Sequence, residues 1–232
     1  MRYDKIAGGI FLSRPNRFIA KVMMDGKEVT AHVKNTGRCR ELLAAGARLV
    51  LERSDNPLRK TAASVIGVYK GDRLVNMDSQ APNLAAFEWA QAGADGLFGK
   101  ILEVKREKTY GNSRFDLYHR TEEGPWFVEV KGVTLFADRV ARFPDAPTAR
   151  GVKHLEELAS CRRAGNGAAV LFVIQTEGMD LFRPNWETHA EFGQALLRAQ
   201  QAGVKVLAYD CLVREDEMVL NRPVLVDLTE RA

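Results

Sequence analysis

The spacing of hydrophobic residues in the first third of the chain follows the two-residue period of β-strands. Alternating apolar and polar positions predict strands over residues 9–12, 17–24, 27–34, 47–53, 62–70 and 73–78. Asp25-Gly26 favours a two-residue hairpin turn, because this dipeptide tolerates positive φ angles, and Gly71-Asp72 separates a second pair. Five main strands with a short helix-like segment at 39–45 predict a small OB-like β-barrel, with an open antiparallel sheet as the alternative.

Beyond residue 80 the pattern changes to helices that alternate with buried strands. The helices are predicted at 84–92, from Thr148 to residue 163, and at 187–202, and Gly165 and Gly203 end the last two. The strands are predicted at 168–174 and 204–208, and the first of them is almost entirely apolar, which is typical of a sheet covered on both faces. The chain is therefore expected to hold a barrel domain over residues 1–80 and an α/β domain with a mixed sheet over residues 81–232.

Charge separates the same two halves. Residues 1–80 hold 15 Lys and Arg against 8 Asp and Glu, whereas residues 81–232 hold 19 against 22. A basic excess confined to one segment attracts a polyanion, so the barrel is predicted to bind nucleic acid, with an ordinary solvated surface as the alternative. The candidate contacts are the basic residues Arg14, Arg17, Lys21, Lys34, Arg38 and Arg40. Phe11 and Phe18 lie among them and are expected in the barrel core rather than stacked on bases.

The cysteine positions and the N-terminal sequence indicate the compartment in which the protein is expected. Cys39, Cys161 and Cys211 lie far apart and show no CxxC spacing, which argues against a disulfide framework or a zinc site. The N-terminal residues show no charged leader before an apolar stretch, and no run approaches the length of a membrane span. We expect a cytoplasmic protein without a membrane partner, and the sequence leaves the oligomeric state open, a homodimer included.

The chemistry is concentrated between residues 107 and 131. A Gly124-Pro125 turn separates a segment that ends at Asp116 from a segment that carries Glu129-Val130-Lys131. In a hairpin, Glu129 and Lys131 project from one face of the second strand while Asp116 lies on the first, so two carboxylates and one ammonium can converge.

This set of residue types predicts a magnesium site. Mg²⁺ prefers hard oxygen ligands and retains waters, so Asp116, Glu129 and the Val130 carbonyl could hold it, or Mn²⁺ in its place. Lys131 would orient a water or neutralise charge on a phosphate, and Glu107 could hold an outer-shell water or help to bind a second ion.

Each of these residues also has an interpretation that involves no function, as part of a solvated surface or an ion pair. Glu-x-Lys is a weak motif, since Glu103-Val-Lys105 repeats it in a segment expected to be helical, and charged strands are often only solvated faces. Arg150, Lys153 and His154 in the first turns of the helix after Thr148 are candidate phosphate contacts, with surface solvation as the alternative. Gln175 ends a buried strand and could border the site.

Longer stretches of the sequence resemble a known family. The run from residue 110 to 131, the segment 143–158, and the strands at 17–22 and 31–37 are similar to the sugar fermentation stimulation protein family. The resemblance covers residues 10–210, which is nearly the whole chain.

The resemblance implies a fold and a set of roles. It implies an OB-like domain followed by a domain of the PD-(D/E)XK nuclease type, with DNA binding and regulation of maltose metabolism genes. It places Asp116, Glu129 and Lys131 at the nuclease positions and Glu107 at the earlier acidic position, where Glu103 is the other candidate.

Three functions remain open at this point. The chain could be a magnesium-dependent nuclease that acts on DNA without sequence preference, a DNA-binding regulator that retains the fold without turnover, or an RNA-processing nuclease, since OB-like barrels bind single strands of either kind. A nucleotide cofactor is not indicated, because the sequence has neither a GxGxxG segment after a strand nor a Walker loop.

Overall fold

A computed structural model describes residues 1–35, 37, 39–56 and 58–230, and its first 80 residues form a β-barrel. The strands are β1 (Ile6–Asn16), β2 (Ile19–Met24), β3 (Lys27–Val33), β4 (Arg48–Arg53), β5 (Ala63–Lys70) and β6 (Arg73–Asn76). Their order is β3-β2-β1-β4-β5-β6, and a parallel pairing of β3 with β5 closes β1–β5 into a barrel. The predicted OB-like barrel is confirmed, and the open sheet is excluded.

The predicted turns of the barrel form where the sequence placed them. Asp25 and Gly26 have φ values of 52° and 73°, the positive values that a tight hairpin between β2 and β3 requires. The helix-like segment predicted at 39–45 forms a single turn rather than a helix, and in it the Leu43 amide donates to the Cys39 carbonyl (2.9 Å) before the chain enters β4. Phe11 is buried as predicted, whereas Phe18 is 44% exposed, which contradicts the expectation of a core position.

The remainder of the chain folds as an α/β domain. Its helices are α1 (Ala81–Gln91), α2 (Ala149–Arg163) and α3 (Trp186–Gln201). Its strands are β7 (Ile101–Tyr110), β8 (Ser113–Thr121), β9 (Gly124–Val133), β10 (Leu135–Ala137), β11 (Val140–Phe143), β12 (Gly167–Ile174), β13 (Leu181–Pro184), β14 (Lys205–Val213), β15 (Met218–Pro223) and β16 (Leu225–Val226).

The main sheet of this domain is mixed and has the order β15-β14-β12-β9-β8-β7. The central strands β9, β12 and β14 run parallel, whereas β7, β8 and β15 join antiparallel at the two edges. Every residue of β12 is buried, as its apolar sequence predicts, because the core extends over both faces of the sheet. The strands β10, β11, β13 and β16 form a smaller second sheet.

Two local signals around α2 act as predicted. The Thr148 side chain accepts a hydrogen bond from the Gly151 amide (3.0 Å), which caps the helix, and Gly165 follows the helix with φ of 89°. In contrast, the segment around Glu103 is not helical. It belongs to β7, which pairs along its length with β8, and Glu103 there forms ion pairs with Lys105 (3.0 Å) and Arg120 (3.5 Å).

The described residues include no helix with the length and apolar character that crossing a membrane requires. Cys39, Cys161 and Cys211 are buried free thiols.

His119 on β8 is a buried histidine whose two ring nitrogens have no hydrogen-bond partner among the described residues. Its ring packs edge-on against Phe98 at 4.8 Å, and burial lowers its pKa from 6.5 to about 4. Between these two pH values His119 is protonated in the unfolded chain but neutral in the folded chain. The free energy of unfolding therefore falls as the pH drops through this range.

We expect His119→Leu to remove this pH dependence. Between about pH 7 and pH 4 the wild type should lose about 3 kcal/mol more free energy of unfolding than the variant, because each pKa unit corresponds to about 1.4 kcal/mol. Urea unfolding of both proteins across this range measures the difference. Parallel pH profiles would show that His119 is protonated in the folded protein.

Candidate metal centre

Asp116 lies at the point where β8 and β9 separate. The two strands pair from the turn at Gly124 as far as Leu117, which lies opposite Val128. Beyond that point the Asp116 carboxylate, instead of a backbone carbonyl, is the hydrogen-bond acceptor for β9. Its Oδ2 accepts a hydrogen bond from the Val130 amide (2.8 Å), and its Oδ1 accepts one from the Asn83 side chain on α1 (2.8 Å). These two donors fix the carboxylate between the strands.

Glu129 and Lys131 project from the same face of β9, as strand alternation predicts. The Glu129 Oε1 atom accepts hydrogen bonds from the Lys131 ammonium (2.6 Å) and from Nδ1 of His154 on α2. The Glu129 carboxyl group is almost completely buried, and its Oε2 has no partner within the part of the chain that the structure describes. A buried carboxylate oxygen without a donor is costly, and a bound cation would remove that cost.

The two carboxyl groups differ in how readily they ionise. Burial raises the pKa of Asp116, and the negative charge of Glu129 raises it further. Burial also acts to raise the pKa of Glu129, but the His154 hydrogen bond and the Lys131 ammonium outweigh it and hold that pKa below its usual value. Glu129 is therefore ionised first, and a cation between the two groups would favour ionisation of Asp116 as well.

The donor set fits a hard divalent cation that keeps part of its water shell. The described residues contain no group of three or more His, Cys, Asp or Glu side chains that could hold a metal, so a site enclosed by such side chains is not formed there. Mg²⁺ is usually bound through one or two carboxylates with waters and substrate oxygens in the other positions. Asp116 and Glu129, through its unpartnered Oε2, supply these two carboxylates.

The two candidates for the upstream acid, Glu107 and Glu103, both carry ion pairs on β7. Glu107 lies on β7 between the residues that pair with Leu117 and Phe115, and its φ is 58°. Its carboxylate is exposed and lies 3.6 Å from the Arg114 guanidinium. Glu103 is likewise engaged with surface cations. The upstream group that donates a hydrogen bond to Asp116 is Asn83 on α1.

Asn83 was missed because α1 begins earlier than its apolar period indicates. The predicted helix started at residue 84, whereas α1 starts at Ala81 with Pro82 in its first turn. Proline favours the first positions of a helix, and this signal could have placed Asn83 on α1.

Removing the Asn83 amide should weaken cation binding without unfolding the protein. We expect Asn83→Ala to lower Mn²⁺ affinity about 10-fold, because groups that orient a metal ligand usually contribute 10- to 100-fold. Calorimetric titration measures the change, and Gln91→Ala, at an exposed position of the same helix, should leave affinity unaltered. Equal affinity in both variants would mean that Asn83 does not orient Asp116 for metal binding.

The residues predicted to contact phosphates around α2 are also engaged within the chain. His154 is buried against Glu129 rather than exposed, and its Nε2 accepts a hydrogen bond from Arg150 (3.3 Å), so the surface interpretation of this histidine is wrong. Lys153 remains on the surface, 3.8 Å from Glu157.

The barrel cations differ in how available they are. Lys34 forms ion pairs with the buried Asp78 (2.8 Å) and with Glu52 (3.2 Å), so it is not an open surface cation. Lys21 donates to Thr30 (3.0 Å). Arg17 is exposed, and Arg38 lies outside the described residues.

A cleft of about 380 Å³ opens between the barrel and the α/β domain. Asn35 and Gly37 of the barrel line one side, and the start of α2 at Thr148 lines another. Gly132, which directly follows Lys131, lines the base together with the buried Gln175. A Cβ atom at Gly132 would lie 2.6 Å from Gln175 Oε1, so this close approach requires glycine.

Family models match both domains of the chain. The model described as "SfsA N-terminal OB domain" matches residues 12–77, and the model described as "Sugar fermentation stimulation protein RE domain" matches residues 80–217. The chain belongs to the sugar fermentation stimulation protein family. The resemblance seen in the sequence is therefore confirmed.

Family members are similar to this chain over its whole length. The sugar fermentation stimulation protein homolog of Desulfitobacterium hafniense (strain Y51) is 53% identical over 230 residues, which cover 99% of this chain and 100% of the relative. The homolog of Clostridium beijerinckii is 51% identical over 94% of this chain and 96% of its own. Among solved structures, Pyrococcus furiosus SfsA in complex with Ca²⁺ is 26% identical, with a TM-score of 0.87 over 98% of both chains.

Proposed function

We propose that this protein binds DNA and that its α/β domain, of PD-(D/E)XK nuclease type, hydrolyses phosphodiester bonds with a divalent cation. The observation that carries the proposal is the pair of Asp116 and Glu129 carboxylates, with Glu129 Oε2 buried and unpartnered beside Lys131. The similar Pyrococcus furiosus protein was solved in complex with Ca²⁺, which supports a hard-cation site. Mg²⁺, or Mn²⁺ in its place, is the ion we expect here.

Each residue of the cluster has a distinct role in this proposal. Asp116 and Glu129 hold the cation, which when bound would polarise the phosphate and acidify a water. Lys131 places a positive charge at the edge of the carboxylate pair, where it can neutralise charge that develops on the phosphate. His154 and Asn83 fix the orientations of Glu129 and Asp116.

The charge distribution supports a nucleic acid as the polyanion. The basic excess lies in residues 1–80, and the cleft between that barrel and the α/β domain reaches Gly132, next to Lys131. Phosphate contacts made by Lys and Arg are insensitive to sequence, so we expect binding without sequence preference.

Cleavage of supercoiled plasmid with Mg²⁺ or Mn²⁺ tests the proposal. Nicked or linear product should form with the wild type, disappear with a chelator, and be absent for Glu129→Gln purified in parallel. Product formed at the same rate by the variant would identify a contaminating nuclease and contradict the proposed chemistry.

The family name favours a second candidate, a regulator of sugar metabolism genes, such as those for maltose, that binds DNA without cleaving it. In that case DNA affinity should persist in Lys131→Ala, fall steeply with salt because counterions are released, and be accompanied by no cleavage under any ion. Gel-shift assays at several salt concentrations measure the DNA affinity of the wild type and of Lys131→Ala. Together with the plasmid assay, they separate the two candidates.

A further inference from the structure

We propose that Phe18 and Arg17 form a stacking platform that binds a base of single-stranded DNA and directs that strand into the cleft between the barrel and the α/β domain. This inference rests on the proposed function, because it names the form of DNA that the same site receives. Phe18, which the sequence pattern assigns to the barrel core, lies on the surface of the structure.

Phe18 is a large aromatic side chain on an otherwise polar turn. Its side chain is 44% exposed, and the Arg17 guanidinium lies 4.9 Å from the centre of its ring. Arg17 has no acidic partner among the described residues, in contrast to Lys34. An exposed ring beside an available cation offers one surface to a base and one charge to the adjoining phosphate.

The turn that carries the platform is held in one conformation by hydrogen bonds. The Asn16 side chain accepts from the Phe18 amide (2.9 Å), and the Phe18 carbonyl accepts from the Val33 amide (2.8 Å). The Arg14 guanidinium donates to the Arg17 carbonyl (2.8 Å). The ring is therefore presented by an ordered backbone, which reduces the entropy lost when a base binds.

The same arginine connects the platform to the cleft. Arg14 also donates to the carbonyls of Asn35 (2.8 Å) and Gly37 (2.9 Å), and both residues line the cleft whose base includes Gly132. A strand stacked on Phe18 would thus enter this cleft between the barrel and the α/β domain.

The chemistry of stacking selects a single strand. In a duplex both faces of each base are covered by neighbouring base pairs, so an aromatic ring reaches a base face without the cost of unstacking only where the strand is unpaired. Duplex binding by the remaining surface cations requires no such ring.

Fluorescence anisotropy with labelled oligothymidylate of about 15 nucleotides, and with a duplex of the same length, tests the proposal. Both titrations contain a chelator, so that cation binding at Asp116 and Glu129 does not contribute. We expect Phe18→Ala to weaken oligothymidylate binding about 5- to 100-fold, while duplex binding changes less than about twofold. Phe18→Trp should retain wild-type affinity. Leu102→Ala, which alters an equally exposed apolar residue on β7, is the matched control and should have no effect.

Wild-type affinity of Phe18→Ala for oligothymidylate would overturn the platform, whether or not the protein cleaves plasmid. An equal loss for both DNA forms, or the same loss in Leu102→Ala, would overturn it too, because neither is specific to stacking on Phe18. Failure of the proposed chemistry has a different signature, in which oligothymidylate binds in a Phe18-dependent manner but plasmid remains intact with every cation. Absence of oligothymidylate binding by the wild type would overturn the platform, whereas plasmid cleavage with Mg²⁺ or Mn²⁺ decides the proposed chemistry separately.

Discussion

Glu129→Gln should abolish the stabilisation of this protein by divalent cations. The glutamine carbonyl can accept the hydrogen bonds that Lys131 and His154 now donate to Oε1, while the substitution removes the carboxylate charge and replaces Oε2 with an amide NH2 that cannot ligate a cation. We expect Mn²⁺ affinity to fall by about 100-fold or more, since residues that only orient metal ligands already contribute 10- to 100-fold. In thermal unfolding, a cation at 100 times its dissociation constant should stabilise the wild type by about 2.7 kcal/mol and leave the variant unaffected.

Glu107→Gln is the matched control for this experiment. It makes the same chemical change at the exposed glutamate that the sequence placed upstream of the site, and that glutamate contacts Arg114 instead of the carboxylate pair. We expect its response to Mn²⁺ to equal that of the wild type. If Glu107→Gln loses the response and Glu129→Gln keeps it, the cation binds elsewhere.

Lys131→Ala should separate cation binding from catalysis. The Lys131 ammonium is largely buried and lies 2.6 Å from Glu129 Oε1, where it can stabilise charge in the transition state but cannot ligate a cation. We expect the rate of DNA cleavage to fall on the order of 10²- to 10³-fold, as for the loss of one preorganised donor, while the dissociation constant for Mn²⁺ changes only a few-fold. Single-turnover cleavage and calorimetry measure the two quantities.

The second Glu-x-Lys segment supplies the control for Lys131. Lys105→Ala removes the lysine of Glu103-Val104-Lys105, which is exposed on β7 and paired with Glu103. Its cleavage rate should match the wild type. A comparable fall in both variants would assign the effect to general loss of positive charge rather than to a position beside the carboxylates.

Local patterns were sufficient to predict most of the fold and the placement of Glu129 and Lys131 on one face of their strand. Strand alternation places Glu129 and Lys131 on one face of β9, and the Asp25-Gly26 turn sets the β2–β3 hairpin, because both depend on residues adjacent in the chain. The all-apolar β12 indicated a sheet covered on both faces for the same reason.

The parts that the sequence did not reveal depend on contacts between distant elements. His154 was placed on the surface because helical periodicity does not show that α2 lays this residue against Glu129, 25 positions away. Lys34 was counted as a free cation because its partner Asp78 approaches only when the barrel closes. Glu107 was preferred by spacing alone, yet an exposed ion pair with Arg114 holds its side chain.

Crystals of the protein soaked in Mn²⁺ test the central claim most directly, through the anomalous scattering of the ion. We expect one strong peak bounded by an Asp116 carboxylate oxygen and by Glu129 Oε2, at metal–oxygen distances of about 2.0–2.6 Å. Density confined to other positions, or Glu129 Oε2 bonded to a protein donor with no ion beside it, would contradict a shared metal site.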